Sequence, residues 1–85
     1  MSVMLDDRQE EIIVTRNGKH VKVVTDYIPW PLGHGYETQV FHCNRNGNVT
    51  NYIKELDCKS YGENKKAADA GHTKMINKWI KETLV

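Results

Sequence analysis

NKKAADAGHTKMINKWIKET, running from Asn64 to Thr83, is the stretch that decides the fold. On a helix advancing ~100° per residue, Ala68, His72, Met75, Ile76, Trp79 and Thr83 fall within roughly a 100° arc, with Ile80 at its edge. Asn64 stands where an N-cap is needed, because its side chain can accept from the free N–H groups of the first turn. Lys78 and Lys81 suit the negative end of the helix dipole. So narrow a stripe must lie on something flat and apolar, and the residues upstream read as strands.

Ile12, Ile13 and Val14 are followed by Arg16-Asn17-Gly18-Lys19 and then by Val21, Val23 and Val24. Asn-Gly between two β-rich runs signals a hairpin. A two-residue loop at Asn17-Gly18 predicts Val14 opposite Val21 and Ile12 opposite Val23 on one face, with Thr15, His20 and Lys22 on the other. Residues 26–35 break the pattern, since Pro29, Pro31, Gly33 and Gly35 rule out a helix or a central strand. Trp30 in this loop has two readings, a lid folded over the core edge or an aromatic anchor for a partner. A second hairpin is predicted from Tyr36–Cys43 and Val49–Leu56 around Asn46-Gly47. It places Val40 opposite Ile53 and Phe41 opposite Tyr52, with Cys58–Glu63 as the link to the helix. The expected fold is therefore α+β, an antiparallel sheet of two β-hairpins (β-β-β-β-α) with one long C-terminal amphipathic helix packed across one face.

The 85 residues make one domain with a single small core, residues 1–9 being weakly patterned and open to a short helical turn, an edge strand or a flexible tail. Twelve Lys plus Arg stand against 11 Asp plus Glu, a balance that argues against polyanion binding driven by bulk charge. The charge is uneven, with Asp6, Asp7, Glu10 and Glu11 early and Lys65, Lys66, Lys74, Lys78 and Lys81 late. No segment approaches the ~18 apolar residues of a membrane span, and none reads as a secretory signal. The two cysteines do not make a disulfide scaffold. A cytoplasmic protein with no membrane association is expected.

His42, Cys43, Cys58 and His72 lack the close pairs of a zinc site, and in the hairpin reading the two cysteines lie far apart, so no metal is expected. No phosphate loop, nucleophile elbow or carboxylate pair is present, and neither an enzyme nor a cofactor is expected. His72, set in the apolar stripe, reads as a core histidine bonded to Tyr61, Asp57 or the sheet backbone. Lys74, Lys78 and Lys81, with Ala67, Ala70 and Gly71 nearby, form the face opposite the stripe, either solvated or phosphate-contacting.

Gly62-Glu63-Asn64-Lys65-Lys66-Ala67-Ala68 resembles the start of the last helix in double-stranded-RNA-binding domains, where a Gly-x-Ser-Lys-Lys-x-Ala-Lys pattern follows an antiparallel sheet. That resemblance implies phosphate contacts by Lys65 and Lys66, and a nucleic-acid module using Lys65, Lys66, Lys74 and Lys78 is the alternative function. Asp69 replaces the third lysine, and no long first helix precedes the sheet. A second resemblance spans residues 36–79. Tyr36-Glu37-Thr38-Gln39-Val40-Phe41, Asp57-Cys58 with Tyr61, and Ala68-Asp69-Ala70-Gly71-His72-Thr73-Lys74-Met75 with Trp79 resemble a pattern in short proteins of tailed bacteriophages. It departs in a longer link between Tyr61 and Ala68 and in the Trp-bearing loop. The resemblance implies a small protein that binds a host or defence-system protein in the host cytoplasm and modulates it. Tyr27, Trp30, Arg45 and Asn46 are the expected contacts. A homodimer through the Tyr36–Cys43 strand or the Ile12–Val24 hairpin is a further possibility.

Overall fold

A computed structural model describes residues 8–84. Four strands, β1 (Gln9–Val14), β2 (His20–Ile28), β3 (Gly35–His42) and β4 (Asp57–Gly62), precede one helix, α1 (Lys65–Ile80). The strands form one antiparallel sheet in the order β1-β2-β3-β4, and α1 crosses one face of it. The α+β fold is the one expected. Of the weakly patterned segment 1–9, residues 1–7 lie outside the described residues, while Gln9 opens the edge strand β1.

Asn64 caps α1, its side chain accepting from the Ala67 N–H at 3.0 Å. Ala68, His72, Met75 and Trp79 are buried, as the stripe requires. Met75 and Trp79 pack with Val21, Val23 and Val40 as the core, flanked by Ile13, Leu56, Ile76 and Leu84.

The first hairpin forms, but one residue away from the expected register. Ile13, not Val14, lies opposite Val21, Glu11, not Ile12, lies opposite Val23, and Val14 faces His20. The turn is the cause. The Thr15 N–H donates to the Lys19 carbonyl at 2.8 Å and the Gly18 N–H to the Thr15 carbonyl at 3.0 Å, with Gly18 at φ +82°. This is a three-residue loop ending in a left-handed glycine, the alternative use of an Asn-Gly pair. Because strand side chains alternate, the slip exchanges the two faces of β1. Ile12 and Val14 are exposed, Thr15 is buried, and Ile13 and Glu11 turn toward the helix.

β2 and β3 run further than the Pro- and Gly-containing segment suggested. Asp26, Tyr27 and Ile28 pair with Glu37, Tyr36 and Gly35. The connecting loop is confined to residues 29–34, with a cis Trp30–Pro31 peptide bond.

The expected strand over Val49–Leu56 does not form; only an isolated bridge joins Cys43 and Val49. Asparagine side chains hold this segment locally. Asn44 Oδ1 accepts from the backbone of Asn46 and Asn48, and Asn51 Oδ1 from that of Ile53, a competition that draws backbone away from a ladder. Val40 instead faces Asp57, and the residues read as a link supply β4. Ile53 is exposed, while Tyr52 folds back edge-on to Phe41, ring centroids 5.2 Å apart, on the sheet face away from the helix. β3 is a central strand paired on both sides, so the Tyr36–Cys43 segment offers no edge to a second copy; β1 and β4 are the edges.

Candidate functional site

Three features stand out where helix and sheet meet: a buried polar chain, a lysine-lined groove, and an exposed aromatic loop. The chain runs across the sheet. Tyr61 on β4 donates its hydroxyl to Thr38 Oγ1 on β3 at 3.0 Å. Thr38 Oγ1 lies 2.6 Å from Thr25 Oγ1 on β2, which lies 2.6 Å from His72 Nδ1. His72 Nε2 lies 2.9 Å from Glu11 Oε1 on β1. An ionised carboxylate only accepts, so Nε2 carries a proton. In the neutral imidazole Nδ1 then accepts from Thr25, Thr25 from Thr38, and Thr38 from Tyr61. Every hydroxyl is used, all pointing toward Glu11.

The expected partners of His72 are thus corrected. Tyr61 belongs to the network three hydrogen bonds away, and Asp57 serves Trp79 and Lys78 instead. Glu11 and Thr25 escaped the sequence reading because the one-residue register slip is what turns Glu11 inward.

Carboxylate, imidazole and hydroxyl in this order resemble a hydrolase triad, but the geometry does not serve acyl transfer. Thr25 is 1% exposed and His72 2%. The hydroxyl that would attack is engaged by Thr38 beneath the helix, with no open side for a carbonyl. Cys58 is exposed, yet burial of its sulfur and the charges of Glu55 and Glu37 raise its thiol above the ordinary range, away from a thiolate nucleophile. Cys58 lies opposite Gln39, four residues along β3 from Cys43; at ~3.3 Å per residue the two cysteines are roughly 14 Å apart, nearer than the hairpin reading placed them and too far for a disulfide. Among the described residues no three His, Cys, Asp or Glu side chains gather as a metal site.

The groove lies between β4 and α1 and encloses about 490 Å³. Gly71 lets the Tyr61 ring lie against the helix, since a Cβ there would sit 2.1 Å from the Tyr61 hydroxyl. Ala67, Ala70 and Met75 continue the apolar lining, and Lys59, Lys74 and Lys78 stand around it. Asp57 also lines it, but is fully engaged. Its Oδ2 accepts from Lys78 Nζ at 2.6 Å and Trp79 Nε1 at 3.0 Å, its Oδ1 from the Cys58 N–H at 2.9 Å. Burial raises the Asp57 carboxyl, but these hydrogen bonds and the Lys78 charge outweigh it and hold the group below its ordinary 3.8.

The four expected protein contacts are not brought together. Tyr27 and Trp30 lie at the β2–β3 end of the sheet, Arg45 and Asn46 in the β3–β4 connection at the opposite end. Tyr27 is half-buried, edge-on to Tyr36, and donates its hydroxyl to the Glu63 carboxylate at 2.8 Å. Trp30 is 76% exposed and Leu32 86%, so Trp30 is not a lid over the core. Its nearest ring neighbour is His34, centroids 5.6 Å apart. Of the four lysines, Lys74 and Lys78 share the groove. Lys65 lies one helical turn from Asp69, at 3.5 Å, and Lys66 is exposed outside the groove. Lys59 was missed because β4 was read as a link. No described helix is long and apolar enough to cross a membrane.

No protein-family model, curated protein or solved structure matches the chain.

Proposed function

We propose that this chain is a non-enzymatic, phage-type protein that binds a host or defence-system protein and modulates it, with the β2–β3 loop as its point of contact. The observation that carries the reading is the exposure of Trp30 and Leu32, two large apolar side chains two residues apart in a loop of only six residues. Pro29 and Pro31 fix two of the loop's φ angles, and the Gly33 N–H closes it onto the Pro29 carbonyl at 3.1 Å. A Trp held in this way loses little freedom on binding, the condition under which aromatic residues dominate interfaces. The resemblance over residues 36–79 supplies the phage context. The alternative, a nucleic-acid module on Lys65, Lys66, Lys74 and Lys78, has less support, because Lys65 and Lys78 are paired with Asp69 and Asp57.

The test is capture from a bacterial lysate with the immobilised wild-type chain, Trp30→Ala and Leu32→Asp. A partner held stoichiometrically by the wild type and lost by both variants is the expected result. Both variants should keep the wild-type unfolding curve, since neither side chain contributes to the core. Capture of the same protein by all three variants would remove the loop from the interface, and no stoichiometric partner in any lysate would remove the reading.

A further inference from the structure

We infer that the groove between β4 and α1 is a docking site for an extended acidic peptide, which adds to the open edge of β4 as a fifth strand. This surface is separate from the Trp30 loop, and the inference stands or falls on its own.

Three observations converge on that occupant. First, β4 is an edge strand paired only with β3. Its Cys58 N–H is donated to the Asp57 side chain rather than to β3. By the alternation of an antiparallel ladder, the Cys58 carbonyl and the Ser60 N–H and carbonyl therefore face outward, toward an incoming strand. Second, the unmatched charge on the groove walls is positive. Asp57 is matched by Lys78, which leaves Lys59 and Lys74, both exposed and without an ion-pair partner among the described residues. They come from opposite walls, one on β4 and one on α1, so positive charge flanks the groove on both sides. Third, the lining between the lysines is small and apolar, with Ala70, Gly71 and Met75. A strand added to β4 points alternate side chains into that space, and about 490 Å³ holds two or three of them. Nucleic acid fits less well. The chain has a net charge of only +1, which gives little long-range attraction for a polyanion, and an apolar floor offers phosphates nothing.

The probe is a fluorescent eight-residue peptide, Glu-Ser-Val-Ser-Glu-Ser-Val-Ser (the Glu-Val peptide; the Lys-Val peptide carries Lys for Glu), which as a strand turns its Glu and Val side chains to one face, titrated by anisotropy at low salt against the full chain. Saturable binding is expected. It should weaken roughly tenfold or more in Lys59→Glu/Lys74→Glu, two exposed positions whose reversal leaves the core untouched. It should be unchanged in Lys19→Glu/Lys54→Glu, which alters net charge equally but lies outside the groove. A Lys-Val peptide should bind the Lys59→Glu/Lys74→Glu protein and not the wild type. Methylating alternate backbone nitrogens of the Glu-Val peptide should abolish binding in the frame that faces β4. Bound peptide should slow alkylation of Cys58 at the groove wall and not that of buried Cys43. No saturable binding at millimolar peptide would overturn the inference. So would equal weakening in both lysine pairs, or indifference to methylation in either frame. A duplex RNA that binds more tightly than the peptide through Lys59 and Lys74 would reassign the groove to nucleic acid.

Discussion

His72 Nε2, on the helix, lies 2.9 Å from Glu11 Oε1, on the edge strand β1. Sixty-one residues separate them, and this contact, with Thr25 on the other ring nitrogen, is why a histidine sits in an otherwise apolar stripe. It follows that the ring is valued for its two nitrogens as well as its bulk. Replacing it by Leu leaves the Thr25 and Thr38 hydroxyls without their terminal acceptor in a buried site. His72→Leu should cost about 2–3 kcal/mol, read from urea denaturation. Replacing the hydroxyls as well, in His72→Leu/Thr25→Val/Thr38→Val/Tyr61→Phe, should restore much of that loss, because the buried links of the chain are then apolar throughout. A quadruple variant no more stable than the single one would show that the hydroxyls do not depend on the ring.

Gly71 offers a test in which the usual sign of a substitution reverses. Gly→Ala within a helix ordinarily stabilises by about 1 kcal/mol. Here the added methyl would collide with the Tyr61 ring and hydroxyl, driving Tyr61 off Thr38. Gly71→Ala should therefore destabilise the wild type by roughly 1–2 kcal/mol, as overpacking does. In a Tyr61→Ala background the same change should stabilise. Thermal melts of the four proteins in this cycle give the coupling directly.

The register of the first hairpin has its own signature. Val14 points to solvent and Ile13 to the core. Val14→Lys should alter stability by no more than about 0.5 kcal/mol, and Ile13→Lys should cost about 2 kcal/mol or more. A two-residue turn demands the opposite order.

Asp57 makes stability depend on acid. Its folded pKa is depressed, so its contribution is fully present above the ordinary 3.8 and is lost as pH falls through the lower folded value. Asp57→Asn should be less stable than wild type at pH 7, by about 1–2 kcal/mol for a partly buried charge-assisted pair. The gap should close below pH 3.8, as denaturant melts across pH 2–7 would read. Glu10, lowered chiefly by its hydrogen bond from Arg8, shifts in the same direction, but that pair is exposed and adds little.

The helix and its cap were legible because Asn64 and the stripe from Ala68 to Trp79 are local signals, independent of what lies beneath. The first hairpin was legible in existence but not in register. Asn17-Gly18 serves two turn lengths, and only the closure between Thr15 and Lys19 distinguishes them. β4 was hidden because Asp57–Gly62 carries little strand character of its own. Its pairing is secured from outside, by Tyr61 reaching Thr38 and by Asp57 receiving Trp79 and Lys78. Val49, Tyr52 and Ile53 carried the β-rich composition, but neighbouring asparagines gave their backbone nearer partners. The groove was half legible. Lys74, Lys78, Ala67, Ala70 and Gly71 do share one groove wall, but Lys81, grouped with them, is the C-cap and lies outside it, and the wall opposite them waited on β4.

The chain of hydrogen bonds from Tyr61 to Glu11 also divides the molecule along its strands. On one side lies the oil of Val21, Val23, Val40, Met75 and Trp79. On the other, the start of the helix is tied down by exposed polar links, Tyr27 to Glu63 and Gln9 to Asp69. Polar ties at the surface open more readily than an apolar core, so the two halves need not unfold together. Amides of the first helical turn and the Trp30 end should exchange with solvent at a denaturant concentration that leaves the Val21–Val23 backbone protected. The end that carries the proposed contact would then rearrange around a partner while the far half keeps its shape.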